Sequence, residues 1–231
     1  RASCACWEYT IDMNITVSDL IVRYLERLGI DVIFGMPGAH VLPVYDSLFH
    51  SPVNTVLAKH EQGASFMAGG YARMAHRPAA CIATAGPGAT NLITGIANAY
   101  ADQLPVLAIT GETSTYIFGR GGLQESSGEG GAIDQVELFR GITRYCKLVE
   151  RTDYLAAVLN QATKHLLSGT PGPVVLSIPY NLQKEMVDDS VVEQVVFTRS
   201  GNDPLIPEQY IERSLELIRA ARLPLIIAGY G

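Results

Sequence analysis

Apolar positions along this chain fall into two alternating rhythms. Short runs with apolar side chains on both faces, at residues 32–35, 55–59, 79–85, 106–110 and 174–178, predict strands. Between them lie stretches with helical spacing at residues 16–28, 39–49, 61–75, 89–101 and 154–167. The first helix opens on a capping box, Thr16 with Asp19, places Val17, Ile21, Tyr24 and Leu28 on one stripe, and stops at Gly29. Residues 136–141 and 146–149 carry the alternation past a glycine-rich loop. Strands apolar on both faces, regularly interleaved with helices, predict an α/β fold: a parallel sheet flanked by helices on both faces.

The rhythm has edges. Residues 1–13 are aperiodic and read as a non-native or disordered leader, with Met13 as a natural start. Residues 14–185 carry the α/β pattern, and residues 186–206, rich in charge, Gly and Pro, read as a linker. Residues 207–231 then read as the start of a truncated second α/β domain: Ile211, Leu215 and Ile218 share one helical face, and residues 223–228 read as a buried strand.

Composition narrows the function classes. With 48% apolar and 17% charged residues, the chain is neither a disordered tail nor a disulfide miniprotein. A net charge of −6 without any basic block argues against a nucleic-acid partner. Cys4, Cys6, Cys81 and Cys146 have no zinc-site or disulfide-framework spacing and read as reduced thiols. Apolar runs are too short to cross a bilayer, so a cytoplasmic protein without a membrane partner is expected.

In open parallel sheets, ligands collect at the carboxyl ends of strands, where helix N-termini offer N–H donors. Three such ends stand out. Gly35-Met36-Pro37-Gly38-Ala39-His40 forms a turn that lets a ligand approach the backbone. Lys59-His60-Glu61-Gln62-Gly63-Ala64 sets Glu61 in the first turn of a helix rich in small residues. By spacing alone, Glu61 reads first as a glutamate complementing the helix dipole and second as a functional carboxylate. Thr84-Ala85-Gly86-Pro87-Gly88-Ala89-Thr90-Asn91 is either a tight βα turn or a cradle for a planar or phosphorylated ligand. It matches neither the dinucleotide fingerprint nor a P-loop.

Taken in order, Gly35-Met36-Pro37-Gly38, the run from Lys59 to Ala64, Gly86-Pro87-Gly88-Ala89-Thr90-Asn91 and Gly172-Pro173-Val174-Val175-Leu176-Ser177-Ile178-Pro179 resemble thiamine diphosphate enzymes of the acetolactate synthase type. The resemblance covers residues 13–187 and implies that residues 14–185 form a pyrimidine-binding domain. Residues 207–231 look like the opening of the central domain, which carries FAD in acetolactate synthase. The resemblance also implies thiamine diphosphate as cofactor, a 2-oxo acid as substrate, and a homodimer or homotetramer joined through the pyrimidine domain. FAD stays open as a second cofactor. In this family Mg²⁺ and the diphosphate sit on a further domain with a Gly-Asp-Gly motif. No Gly-Asp-Gly occurs here, so no metal ligand is assigned and the chain alone is expected to be inactive.

The same resemblance makes Glu61 the catalytic glutamate, a carboxyl group that shares a proton with N1′ of the aminopyrimidine. Pro37, Gly38, Pro87, Gly88 and Asn91 match positions that line the pyrimidine pocket. Leu123-Gln124-Glu125 resembles the family's Phe-Gln-Glu, whose glutamine faces substrate, but a Gly/Ser insertion before Asp134 leaves Gln135 competing with Gln124 for that role. Where acetolactate synthases typically show Gly-Gly-Ala, this chain has Gly38-Ala39-His40; some related 2-oxo acid decarboxylases carry a histidine there, so His40 reads either as a substrate-side proton carrier or as a turn cap. The expected activity is that of a 2-oxo acid carboligase or decarboxylase most like acetolactate synthase. The alternatives are another decarboxylase of the same family and a non-catalytic short paralogue that pairs with a full-length partner.

Overall fold

The computed structural model describes residues 14–197 and 206–227, which belong to two units divided between Ser200 and Gly201. The leader expected at residues 1–13 lies outside the described residues. The first unit begins with β1 (Asn14–Thr16), α1 (Val17–Arg27), β2 (Val32–Gly35), a 3₁₀ turn at Ala39–Val41, α2 (Leu42–Phe49), β3 (Asn54–Leu57), α3 (Glu61–Ala75) and β4 (Ala79–Ala83). It continues with α4 (Pro87–Asn91), α5 (Ile93–Ala101), β5 (Val106–Glu112), a 3₁₀ turn at Thr115–Ile117, α6 (Gln135–Arg140), β6 (Tyr145–Leu148) and α7 (Leu155–Leu167). Then come β7 (Val174–Pro179), α8 (Tyr180–Gln183), β8 (Met186–Asp188) and a 3₁₀ segment at Asp189–Gln194.

Local chemistry sets the element ends. The Thr16 hydroxyl accepts the Asp19 N–H at 3.1 Å and donates to the Asp19 carboxylate at 2.7 Å, closing the expected cap of α1. The stretch read as one helix at 89–101 is two: Pro87 starts α4 early, and Leu92 joins α4 to α5. Residues 136–140 belong to helix α6, which ends at its C-cap Gly141 and whose N-cap Asp134 accepts the Glu137 N–H.

The six-stranded parallel sheet has the order β3-β2-β4-β5-β7-β6. Alternate side chains of each central strand go to opposite faces. On β4, Ala80 and Ile82 join a core built with α1, α2 and α7, whereas Ala79, Cys81 and Ala83 join a second core built with α3 and α5. The sheet is thus covered on both faces, as predicted. Fully buried residues such as Ile82 and Leu107 each contribute about 1.5–3 kcal/mol. Because β2, β4 and β5 are neighbours and parallel, their carboxyl ends bring the loops after Gly35, Ala83 and Glu112 to one edge.

Two expectations are corrected. Residues 186–206 are not simply a linker: Met186–Asp188 pair antiparallel with β1 in the register Asn14↔Asp188, and Val187, Val192 and Val195 are buried in the first core. The charges that suggested a linker form ion pairs with α1, Arg23 with Asp189 and Arg27 with Glu193. In the second unit, α9 (Glu208–Ala220) forms as predicted, but residues 223–227 form no strand and are exposed. A lone strand leaves its ladder groups unpaired, and the described part of this unit supplies no partner strand. His165 is half-buried and stacked on Tyr145 with ring centroids 5.8 Å apart.

Candidate functional site

The helix α3 begins at Glu61, and His60 caps it by accepting the Gln62 N–H at 3.2 Å. Glu61 is half-buried, and Asn91 Nδ2, on α4, donates to its Oε2 at 3.0 Å. Among the described residues, none hydrogen-bonds Oε1. Gly88 explains why the carboxylate sits open: a Cβ there would lie 3.5 Å from Oε1 and 2.7 Å from Thr84 Cγ2. Gly38 meets the same side chain from the other turn, where a Cβ would lie 2.6 Å from Thr84 Cβ. Pro37 and Pro87 stand exposed at the tips of their turns.

The structure brings His40 and Gln124 to this edge as well. His40 is 8% exposed, and Thr84 Oγ1 lies 3.2 Å from its Nδ1 and 3.3 Å from its backbone N. Burial pulls its imidazole below the ordinary value, against the opposing influence of the Glu112 charge and the Gln124 amide. The Thr84 hydroxyl donates to Gln124 Oε1 at 3.5 Å. Gln124 has φ +56°, a left-handed backbone unusual for a residue with a side chain. Its carbonyl and Cβ cover Gly86 so closely that a Cβ there would lie 2.9 Å from the carbonyl oxygen. Gly86 itself has φ +58°, so both the space and the backbone require glycine.

Gln135 is placed elsewhere. It is 1% exposed, its Nε2 donates to Thr110 Oγ1 at 2.7 Å and Ser177 Oγ at 2.9 Å, and its Oε1 faces Ser126 Oγ at 3.2 Å. Both amide hydrogens of that side chain are engaged inside the protein. Of the two competing glutamines, only Gln124 therefore stands beside Thr84 and His40.

Several residues of the site went unpredicted. Glu112, at the end of β5, is fully buried; its Oε1 accepts the N–H groups of Thr113 at 2.7 Å and Ser126 at 3.0 Å, and its Oε2 accepts the Ser126 hydroxyl. Ser126 Oγ in turn accepts the Gly86 N–H at 3.4 Å, tying the Gln124 loop to the β4–α4 turn. Glu125 accepts the N–H groups of Gly119 and Gly122 and so folds the glycine-rich loop around itself. The available signal was positional, since Glu112 ends a strand and Thr84 directly follows one at the edge where ligands gather. A cleft of about 670 Å³ between α1, α2 and α8, lined by Asp19, Tyr45 and Lys184 among others, contains none of the predicted site residues.

The family profile described as "Thiamine pyrophosphate enzyme, N-terminal TPP binding domain" matches residues 15–138. The chain belongs to the thiamine pyrophosphate enzymes. Acetolactate synthase isozyme 2 large subunit of Escherichia coli is 36% identical over 211 residues, covering 91% of this chain and 36% of that protein. The acetolactate synthase of Mycobacterium bovis is 38% identical over 219 residues, covering 94% and 34% respectively. A probable acetolactate synthase large subunit of Methanocaldococcus jannaschii is 34% identical over 220 residues, covering 93% and 36%. The chain thus spans about a third of the length of the curated relatives it matches. Every residue expected for the site, from Pro37 to Gln135, lies within the matched segment. The cofactor fits the donor set: Glu61 presents a half-buried carboxylate oxygen that has no hydrogen-bond partner among the described residues, beside the Gly88 turn, whose backbone a flat ring can approach. Among the described residues no helix is long and apolar enough to cross a membrane.

Proposed function

We propose that this chain is the cofactor-activating part of a thiamine diphosphate-dependent 2-oxo acid carboligase or decarboxylase of the acetolactate synthase type. The observation that carries the reading is the Glu61 carboxyl group, held through Oε2 by Asn91 and open at Oε1 beside Gly88. When bound, thiamine diphosphate would supply a carbon acid whose conjugate base is a nucleophile for a 2-oxo acid carbonyl, and an acceptor for the electron pair that departing CO₂ leaves behind. Glu61 holds a proton at N1′ of the aminopyrimidine, and Asn91 orients the carboxyl group for it. Gly38 and Gly88 admit the ring, with Pro37 and Pro87 shaping the turns on either side. Gln124 and His40 stand on the substrate side, where His40 exchanges a proton.

Mg²⁺ and the diphosphate are assigned to a domain beyond this chain, any FAD to the central domain, and the working form to a homodimer or homotetramer joined through the pyrimidine domain. The free thiols of Cys81 and Cys146 favour a reducing compartment, the cytoplasm. The buried His40, in place of the alanine typical of acetolactate synthases, favours a second reading as a simple 2-oxo acid decarboxylase.

The test is hydrogen–deuterium exchange at C2 of the bound cofactor in the full-length protein. Glu61→Gln is expected to slow it by about 10²–10⁴-fold, the range of positioned acid–base catalysis. Unchanged exchange removes Glu61 from the mechanism.

A further inference from the structure

Thr84, the first residue after β4, touches both substrate-side groups, and the reading above gives it no task. Its Oγ1 lies within hydrogen-bonding distance of the His40 backbone N at 3.3 Å, His40 Nδ1 at 3.2 Å and Gln124 Oε1 at 3.5 Å. A threonine hydroxyl has one proton and two lone pairs. The His40 N–H occupies one lone pair, and the Gln124 amide oxygen takes the proton. With the proton directed to Gln124, the second lone pair is left for Nδ1, which in that arrangement carries a hydrogen. Nε2 is consequently the unprotonated nitrogen of the neutral ring.

The imidazole is held in place from other directions too. The His40 carbonyl accepts Gln183 Nε2 at 2.7 Å, and its backbone rests against Gly111, where a Cβ would overlap it. The carbon atoms of Thr84 meanwhile fill the space over Gly38 and Gly88, 2.6 Å and 2.7 Å from where Cβ atoms would stand. Serine would lack the methyl group and valine the hydroxyl.

We propose that Thr84 is the positioning residue of this site: its hydroxyl fixes His40 as the Nδ1–H tautomer and holds the Gln124 amide alongside, while its methyl group keeps the two glycine turns apart. The catalytic consequence rests on the function proposed above, because His40 matters to the reaction only if this edge receives substrate. The tautomer itself is a property of the chain without cofactor.

Nitrogen NMR of the chain labelled in its histidines, at a pH where imidazoles are neutral, decides the matter, with His40→Gln identifying the signals. Wild type is expected to carry the His40 proton on Nδ1, and Thr84→Ser to keep it there. In Thr84→Val the ratio is expected to move toward Nε2–H by about fivefold or more, the effect of losing one hydrogen bond. A wild-type Nε2–H tautomer, or an unchanged ratio in a folded Thr84→Val, overturns the proposal. If Thr84→Val does not fold, the wild-type and Thr84→Ser spectra still decide. Unchanged cofactor exchange in Glu61→Gln would reject the proposed function while leaving the tautomer result standing, so the two failures are distinguishable.

Discussion

At the scale of single residues, the site combines strain with close approach. Gln124 keeps a left-handed backbone at φ +56° although glycine would adopt it freely, and such conformations cost about 1–3 kcal/mol and gather at functional positions. Gln124→Gly is therefore expected to raise stability by about 1 kcal/mol in urea titration while lowering turnover of the full-length enzyme; a loss in both would mean that the side chain serves structure alone. Gly88→Ala should act in the opposite direction, since its Cβ would stand 2.7 Å from Thr84 Cγ2 in a buried turn. Overpacking of that kind costs about 1–3 kcal/mol, and weakened cofactor binding should accompany it; a variant of wild-type stability would show that the turn yields. Glu61, Gly38, Gly88 and Asn91 were legible in the sequence because turn chemistry and ordered motifs mark them. Thr84 stood in the third strand-end run without a role and Glu112 was not marked at all, because a threonine or glutamate at the end of an apolar run has no spacing of its own, and only the sheet order brings them beside His40.

At the scale of elements, short continuous apolar runs located the central strands and a 3.6-residue period the long helices, since burial on two faces leaves a compositional trace. Failure came where burial and charge mix. Residues 186–197 read as polar because Asp189 and Glu193 are charged, yet both face arginines of α1, and Arg27 also lies over the Phe197 ring at 5.1 Å. Between those charges Val187, Val192 and Val195 are buried. A chain ending at residue 185 should therefore have a clearly lower urea midpoint than one ending at residue 197, through loss of the β1–β8 pairing and of three core valines. Equal midpoints would restore this segment to the status of a linker. The same logic explains residues 223–227, whose apolar run suggests a strand but whose described surroundings offer no ladder.

At the scale of the whole molecule, the chain carries a net charge of −6, and its acid response depends on groups whose folded environment differs most from water. Burial pulls His40 below the ordinary imidazole value despite the Glu112 charge and the Gln124 amide. Burial likewise pulls His165 down, reinforced by the Lys164 and Arg144 charges. An unfolded histidine titrates near about 6.5, so between that value and the lowered folded values the unfolded chain binds more protons. Stability from these two groups is then complete above the unfolded value and declines as the pH falls below it. Asp19 adds a later step: burial would raise its carboxyl group, but hydrogen bonds from Thr16 and Ser47 outweigh that and hold it below the ordinary range. Its contribution persists above the ordinary aspartate value and is lost as the pH falls through the lowered one. Urea midpoints measured from neutral pH downward should therefore fall first in the histidine range and again in the carboxylate range. The double variant His40→Gln with His165→Gln should flatten the first decline and leave the second. A first decline of wild-type size in that variant would mean that neither imidazole is neutralised by folding, and that the enclosure of His40 beside Thr84 does not govern its protonation.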